Sequence, residues 1–241
     1  MTPSEPSPVE RAAWLRDLRR ENAEQEAALA GTFDEHWGEI GEMHQAFVER
    51  FCSMLPAGGR VLDAACGTGK YFGMVLERGL QPLGVDHTGA YLDAAREKFP
   101  QVSTEVRDLQ ELTFRAEFDG VMCVDAMEFV PPEEWPLVLE RFRWALRPGG
   151  HLYLTVELVA SDEVQVATEE ARAAGLPVVE GEVIWRDPEP YYHHYPPIAQ
   201  VRMWLSGAGF EVVDELEGPW GEGYAYHHVL ARAAERTPPG D

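Results

Sequence analysis

The chain has 241 residues, of which 45% are hydrophobic and 26% are charged. This composition is typical of globular proteins and excludes collagen and long coiled coils. No segment approaches the ~18 consecutive apolar residues that a membrane helix needs. The first thirty residues are charged and lack the apolar core of a signal peptide. We therefore expect a globular cytoplasmic protein that has no membrane partner.

The charge balance is strongly acidic. Forty-two Asp and Glu residues stand against twenty Lys and Arg residues, which gives a formal net charge of −22. Proteins that bind nucleic acids neutralise phosphates with Lys and Arg, so a polyanion would meet general repulsion here. The composition therefore predicts a small-molecule partner and no nucleic acid.

The cysteines and histidines show no ligand spacing. Cys52, Cys66 and Cys123 are far apart, and neither a CxxC nor an HExxH pattern occurs. This arrangement predicts no metal site and no disulfide framework, which is typical of a reducing compartment. Oligomeric state is left open by the sequence.

The N-terminal part of the chain has helical periodicity. Residues Val9 to Ala30 predict one helix with a narrow apolar face, in which Trp14 and Leu15 take part. Apolar residues then recur in steps of three and four from Phe33 to Leu55, which predicts one further continuous helix. We interpret residues 1–55 as an N-terminal helical cap.

From Arg60 onward, short apolar runs alternate with amphipathic segments. The runs predict five strands, and the intervening segments predict helices over 70–78, 90–99 and 132–146. Such alternation is typical of a mostly parallel sheet covered by helices on both faces. The strands are predicted at residues 60–65, 82–86, 102–106, 119–125 and 151–156.

The regular alternation of predicted strands and helices ends after Glu157. Ser161 to Ala174 predicts a helix, whereas residues 175–197 are rich in aromatic residues and prolines. We interpret residues 161–197 as an inserted lid. A helix over 198–208 and two closing strands, 210–215 and 224–231, then predict that residues 198–241 return to the core begun by residues 56–160.

The segment VLDAACGTGKYF carries the strongest chemical signal. Ligands of open parallel sheets bind beyond the carboxyl ends of the strands, and Gly67 and Gly69 would permit a sharp turn with close backbone approach. A plain strand-to-helix turn is the alternative. A Walker A loop fits poorly, because Ala64 replaces its first glycine and Tyr71 replaces its hydroxyl residue. A dinucleotide fingerprint fits poorly as well, because Phe72 replaces its third glycine.

Asp63 narrows the class of ligand. A carboxylate at the end of the first strand would repel a pyrophosphate but suits a ligand with positive charge. S-adenosylmethionine carries a sulfonium and an ammonium and no phosphate. The sequence VLDAACGTG resembles the first motif, of the (E/D)xxxGxG type, of the class I S-adenosylmethionine-dependent methyltransferases.

Three further features in the same order support this resemblance. In the family, the position of Asp86 binds the ribose, that of the Asp108-Leu109 pair contacts the adenine edge, and that of Asp125 lies against the cofactor. A turn-capping role is the alternative for Asp108 and for Asp86. The resemblance implies an α/β, doubly wound, seven-stranded sheet of order 3-2-1-4-5-7-6, and it implies these cofactor residues: Asp63, Ala65, Gly67, Gly69, Asp86, Asp108, Leu109 and Asp125.

The acceptor site is predicted from aromatic and titratable residues outside the common core. Trp37, Trp185 and Tyr192 are the expected substrate contacts, although such rings also serve simply to pack a lid. Because neighbouring histidines point in different directions, at most one of His193 and His194 is expected to face the pocket. We select His194 as the candidate general base and Glu157 as the second candidate.

The predicted activity is transfer of a methyl group from S-adenosylmethionine to oxygen or nitrogen of a small molecule. No (D/N/S)PP(Y/F) motif follows the fourth strand and no Pro-Cys pair occurs, which disfavours the nucleic-acid-modifying branches with those motifs. Two alternatives stay open at this point. One is an NAD-dependent oxidoreductase, and the other is a non-catalytic protein that binds the cofactor for regulation.

Overall fold

A seven-stranded sheet forms the centre of the computed structural model, which describes residues 7–186, 190–221 and 224–234. The order of the strands is β3-β2-β1-β4-β5-β9-β8, and β9 runs antiparallel to both of its neighbours. The doubly wound fold predicted from the sequence is therefore confirmed. The strands are β1 Arg60–Ala64, β2 Gln81–Asp86, β3 Ser103–Val106, β4 Phe118–Cys123, β5 Leu146–Val159, β6 Glu182–Arg186, β7 Pro190–His194, β8 Phe210–Glu217 and β9 Tyr224–Ala233.

Helices cover both faces of this sheet. In β4, Val121 and Cys123 face the same core cluster as helices α6 and α8, whereas Met122 faces α3 on the opposite side. This alternation of buried side chains is what a strand covered on both faces requires. The helices are α1 Pro8–Leu29, α2 Phe33–Trp37, α3 Glu42–Ser53, α4 Phe72–Glu77, α5 Gly89–Lys98, α6 Trp135–Ala145, α7 Ser161–Ala173 and α8 Ile198–Gly207.

The prediction of one continuous helix from Phe33 to Leu55 is wrong. The structure has two helices there, α2 and α3, with Gly38 as the C-cap of the first and Gly41 as the N-cap of the second. A Cβ atom on Gly38 would lie 2.4 Å from the carbonyl oxygen of Asp34. The turn therefore depends on a glycine that the periodicity of apolar residues did not take into account.

The segment rich in aromatic residues and prolines, residues 175–197, contains two strands. Strands β6 and β7 form a two-stranded antiparallel sheet in which Val183 pairs with His193 and Glu182 pairs with His194. Valine, isoleucine and aromatic residues favour this conformation, since their side chains fit a pleated surface. Residues 161–197 thus contain a helix, α7, followed by the β6–β7 hairpin, and the interpretation of this segment as a lid stays a prediction.

Helix α1 contacts both the β6–β7 hairpin and the sheet domain. The Arg11 guanidinium donates two hydrogen bonds to Glu182 of the hairpin, at 2.6 and 2.8 Å, and also pairs with Glu133. At the other end of the helix, Glu26 accepts a hydrogen bond of 2.7 Å from the Thr88 hydroxyl and lies 2.7 Å from His87 Nε2. A single helix therefore contacts both the lid and the carboxyl end of β2.

Gly120 provides a test of how tightly α3 packs on the sheet. A Cβ atom at Gly120 would lie 2.6 Å from Phe51 Cζ and 2.7 Å from Leu55 Cδ1. We expect Gly120→Ala to lower the free energy of unfolding by about 1–3 kcal/mol, as overpacking of a core typically does. Gly207→Ala is the matched control, because no heavy atom of the described residues lies within 4 Å of its Cβ position. Urea denaturation measures both, and equal stability of the two variants would contradict the prediction.

No helix among the described residues has the length and apolar character needed to cross a bilayer.

Candidate functional site

The glycine turn after β1 contains three residues in the left-handed region of backbone conformation. The φ angles are 63° at Ala65, 52° at Gly67 and 80° at Gly69. A Cβ atom at Gly69 would lie 2.7 Å from the Phe72 ring, whereas one at Gly67 would meet no described heavy atom within 4 Å. The backbone at Gly67 therefore faces open space, which leaves room for a ligand to approach it.

Asp86 joins the end of β2 to this turn. Its Oδ2 accepts a hydrogen bond of 2.9 Å from the Gly67 N–H, and its Oδ1 accepts one of 2.8 Å from the Thr88 N–H. Burial raises the pKa of Asp86, while the backbone hydrogen bonds oppose that shift. A carboxylate oxygen has capacity for more than one donor, so both oxygens retain a site for ligand hydroxyls.

Asp63 is the most unusual acid of the turn. It is 2% exposed, and its Oδ2 has no hydrogen-bond partner among the described residues. Burial, reinforced by the negative charge of Asp86, raises the pKa of Asp63 to about 8. Buried polar atoms in proteins are normally paired, so this unpaired oxygen indicates a site for an outside partner.

Asp108 and Leu109 lie next to Asp86. The N–H of Arg107 donates a 2.9 Å hydrogen bond to the Asp86 carbonyl, which holds the segment after β3 against β2. Asp108 Oδ1 accepts a long hydrogen bond of 3.4 Å from the Gln110 N–H and so caps a short 3-10 turn. Leu109 is buried in the main core. The capping alternative is thus present for Asp108, whereas a cofactor role for this pair stays a prediction.

Asp125 follows β4 and is the centre of a cluster of charged groups. Its Oδ1 lies 2.8 Å from His44 Nε2, and its Oδ2 lies 3.6 Å from Lys70 Nζ and 3.4 Å from the Tyr71 hydroxyl. Burial opposes ionisation, but the hydrogen bond with His44 and nearby positive charge, including that of Lys70, outweigh it, so the pKa of Asp125 is lowered. Sequence reasoning did not predict the pairing with His44, because the two residues are far apart in the chain.

A second group of acids comprises Glu128, which follows β4, and Glu157, which lies near the end of β5. Glu128 is 5% exposed, and its Oε2 has no partner within the described part of the chain. Burial raises its pKa, and the negative charges of Glu157 and Asp125 raise it further. Glu128 was not among the site residues predicted from the sequence. Its position in the DAME segment, directly after the fourth strand, is the signal that could have identified it.

Of the adjacent histidines, His193 is the one that lies beside Glu157. His193 Nδ1 is 3.0 Å from Glu157 Oε2 and 2.7 Å from the Tyr195 hydroxyl oxygen. The ring of His194 instead lies 6.3 Å from those of Trp135 and Trp204, in the core under α6 and α8.

The surroundings of His194 are those of a structural residue. It is 3% exposed, and burial lowers its pKa to about 4, although a hydrogen bond with the backbone of Val130 opposes the shift. A general-base role for His194 stays a prediction, and this placement does not favour it. Glu157 lies beside His193 near the end of β5, and its role as a general base also stays a prediction.

The three predicted substrate contacts occupy different environments. Trp37 is 49% exposed and packs against the Phe33 ring at 5.2 Å. Trp185 donates a hydrogen bond of 2.8 Å to the Tyr195 hydroxyl and so borders the Glu157 region. Tyr192 is fully buried and donates a 2.6 Å hydrogen bond to Glu182, which makes it an anchor of the hairpin. Their contact with a substrate stays a prediction, and the burial of Tyr192 disfavours it.

Known proteins match the part of the chain that contains most of the residues described above. Residues 61–150 match the family described as "Methyltransferase domain". A ubiquinone biosynthesis O-methyltransferase of Xanthomonas axonopodis pv. citri is 29% identical over 177 residues, which covers 68% of this chain and 69% of the relative. The matched family region contains the glycine turn, Asp86, Asp108 and Asp125.

Solved structures share the fold at low sequence identity. A SAM-dependent methyltransferase of Methanosarcina mazei superposes with a TM-score of 0.69 at 17% identity, covering 82% of this chain and all of that one. A 1,6-didemethyltoxoflavin-N1-methyltransferase of Burkholderia thailandensis, solved with S-adenosylhomocysteine, gives a TM-score of 0.62 at 19% identity and covers 95% of this chain and 92% of its own. At these identities, the two likenesses are evidence for the fold alone.

Proposed function

We propose that this chain, which belongs to the class I S-adenosylmethionine-dependent methyltransferases, transfers the methyl group to an oxygen atom of a small organic acceptor. The chain is an enzyme that methylates small molecules with S-adenosylmethionine. Oxygen as the acceptor atom rests on the activity for which the Xanthomonas relative is named. Nitrogen, which the sequence left equally open, is the alternative, and the Burkholderia N1-methyltransferase supports it. The oxidoreductase and the non-catalytic binder receive no support.

The observation that carries the cofactor assignment is the unpaired buried oxygen of Asp63 beside Asp86. With its pKa raised to about 8, Asp63 is mostly protonated at pH 7, and a cation placed beside it would favour its ionised form. A buried acid of this kind, together with Asp86 and the open glycine turn, suits a ligand that is cationic and rich in hydroxyl groups better than a pyrophosphate. S-adenosylmethionine fits both requirements. When bound, it supplies a methyl group already activated by the sulfonium.

Each predicted cofactor residue has a chemical task in this proposal. Asp86 would accept hydrogen bonds from the ribose hydroxyls, and Asp108 with Leu109 would contact the adenine. Asp63 and Asp125 would face the positively charged end. The peptide groups of Ala65, Gly67 and Gly69 form the turn along which the cofactor would lie.

The remaining work of the protein is to align the acceptor and to exclude water. Methyl transfer is an in-line displacement, so holding the acceptor atom in line with the carbon–sulfur bond supplies much of the rate enhancement. In this proposal, the segment over residues 161–197 and helix α1, which are joined through Arg11 and Glu182, would cover the bound reactants. Closure would also remove water from the reacting atoms.

Two measurements test the proposed function. Isothermal titration compares S-adenosylhomocysteine with NADH, and we expect binding of the former only. Mass spectrometry then follows formation of S-adenosylhomocysteine in the presence of phenols, catechols, alcohols, carboxylic acids and amines. Binding of NADH without binding of S-adenosylhomocysteine would contradict the proposal and support the oxidoreductase alternative. Binding of S-adenosylhomocysteine without turnover of any acceptor would favour the regulatory protein.

Asp86→Ala tests the ribose contact. We expect the substitution to weaken the binding of S-adenosylhomocysteine by about 1–3 kcal/mol, the usual cost of leaving polar groups of a ligand unpaired. Asp93→Ala on α5 is the matched control, since Asp93 is exposed and pairs only with Arg96 among the described residues. Titration calorimetry measures both, and equal affinities would remove Asp86 from the cofactor site.

The classes of partner and location belong to the same proposal. The net charge of −22 supports a small-molecule acceptor and argues against nucleic acid. Cys52, Cys66 and Cys123 are buried and unpaired, which supports a reducing cytoplasm.

A further inference from the structure

His193 has one ring nitrogen held by the protein and one that is free. Nδ1 lies 2.7 Å from the Tyr195 hydroxyl oxygen, with which it forms a hydrogen bond, and 3.0 Å from Glu157 Oε2. Glu157 Oε2 has no hydrogen-bond partner among the described residues, so this carboxylate acts on the ring through its charge. Nε2 has no hydrogen-bond partner among the described residues, and it is not one of their buried unpaired atoms. The nitrogen farther from the backbone is therefore accessible and able to accept a proton.

The other histidines near the cleft differ in this respect. In His44 the outer nitrogen, Nε2, is the one that pairs with Asp125, and Nδ1 faces its own helix end at Gly41. In His228, Nδ1 pairs with the Tyr153 hydroxyl at 2.9 Å, and Nε2 is buried. His194 has a buried Nδ1. Of these four rings, only that of His193 presents an accessible outer nitrogen.

The Glu157 carboxylate favours the tautomer of His193 in which Nδ1 carries the proton. An acceptor beside Nδ1 stabilises the neutral tautomer in which Nδ1 is protonated and Nε2 is a base. Trp185 donates a 2.8 Å hydrogen bond to Tyr195, which fixes the hydroxyl oxygen next to His193. Trp185, His193 and Tyr195 belong to the hairpin or its end, whereas Glu157 belongs to β5, so the arrangement joins the hairpin to the sheet.

We propose that His193 is the catalytic base of the methyl transfer and that Glu157 is a positioning residue that holds its tautomer. The assignment rests on the proposed function. His193 Nε2 takes the proton of the acceptor hydroxyl while the oxygen forms a bond to the methyl carbon. The carbon–sulfur bond breaks with its electron pair going to sulfur, which leaves the neutral thioether, and the imidazolium returns its proton to water.

Acceptor acidity provides a test that is specific for a base. Catechol and 4-nitrocatechol are similar in size, but the nitro compound is largely ionised at pH 8 and has little need of a base. We expect His193→Ala to lower kcat for catechol by about 10²–10⁴-fold, to have a much smaller effect with 4-nitrocatechol, and to leave the affinity for S-adenosylhomocysteine unchanged. Added imidazole should restore part of the rate with catechol. Equal losses for both acceptors, or no loss, would overturn the proposal.

A second readout is independent of turnover. In the ¹⁵N NMR spectrum of the wild-type protein, we expect His193 to be protonated on Nδ1 and unprotonated on Nε2, and Glu157→Gln should change this distribution. A proton on Nε2 in the wild type would overturn the assignment even if the wild type methylates neither catechol. Failure of the proposed function is seen separately, as absence of S-adenosylhomocysteine binding or of turnover by the wild type.

His227→Gln is the matched control. His227 Nε2 lies 2.9 Å from Glu215 Oε2, which is also a histidine–glutamate pair, but it joins β9 to β8 at the edge of the sheet. We expect its kcat with catechol to stay within twofold of the wild type. A loss as large as that of His193→Ala would indicate that breaking any such pair disturbs the fold and would contradict a specific role for His193.

Discussion

Asp63→Asn is expected to stabilise the free protein and at the same time to weaken its affinity for S-adenosylmethionine. In the folded protein the pKa of Asp63 is raised to about 8, because the carboxyl group is buried beside Asp86. Ionisation of Asp63 therefore costs folding free energy, and this cost grows as the pH rises from the unfolded pKa near ~4 toward 8. Asparagine has no charge to bury, so we expect a gain of about 2–4 kcal/mol in unfolding free energy at pH 7.

The pH dependence distinguishes this explanation from a general packing effect. Urea unfolding at pH 5.5 and at pH 8.5 should show that the advantage of Asp63→Asn increases with pH, whereas Asp93→Asn should show no such trend. Calorimetry should show weaker binding of S-adenosylmethionine to Asp63→Asn, because asparagine cannot ionise beside the positively charged end of the ligand that Asp63 is proposed to face. A variant that is less stable than the wild type at both pH values would contradict the account of Asp63.

Arg11→Met is expected to lower the free energy of unfolding by about 3–5 kcal/mol, the usual cost of removing one partner from a buried ion pair. Arg11 is 6% exposed and Glu182 is completely buried, so the substitution leaves a carboxylate that water does not reach. The N–H of Val179 and the hydroxyl of Tyr192 still donate to Glu182 and limit the loss. Because this pair joins α1 to the hairpin, turnover should fall together with stability.

Arg20→Met is the control for this prediction. Arg20 lies on the same helix and pairs with Asp17 at 3.3 Å, but both side chains are more than 60% exposed. Exposed pairs contribute about 0–1 kcal/mol, so chemical denaturation should barely distinguish Arg20→Met from the wild type. The double variant Arg11→Met with Glu182→Gln should recover part of the stability that Arg11→Met loses, because the buried charge is then gone as well. No recovery would argue against the ion pair as the cause.

The sheet could be predicted from local pattern, whereas the acceptor side of the cleft could not. Apolar runs, Gly67, Gly69 and the acids at strand ends are features of short segments, and they brought the β1 turn and Asp86 into one predicted site that the structure also assembles. The roles of those residues stay predictions.

Which of two adjacent histidines faces the cleft depends on a long-range contact. The pairing of His193 with Val183, and the seating of the hairpin under α1, direct its ring to Glu157 and direct His194 to the core. The pairing of His44 with Asp125 likewise joins residues 81 positions apart. The break at Gly38 and Gly41 was a local signal that counting apolar steps alone overlooked.

Helix α1 contacts the hairpin through Arg11. Through Glu26 it contacts the segment that follows β2, next to the proposed ribose site. Burial opposes protonation of His87, but its hydrogen bond with Glu26 raises its pKa to about 9, so this contact is charged at neutral pH. A displacement of helix α1 that is large enough to admit one reactant would also disturb the residues around the other reactant. We therefore expect synergy between the two reactants, so that bound S-adenosylmethionine slows dissociation of the acceptor and bound acceptor slows dissociation of S-adenosylmethionine.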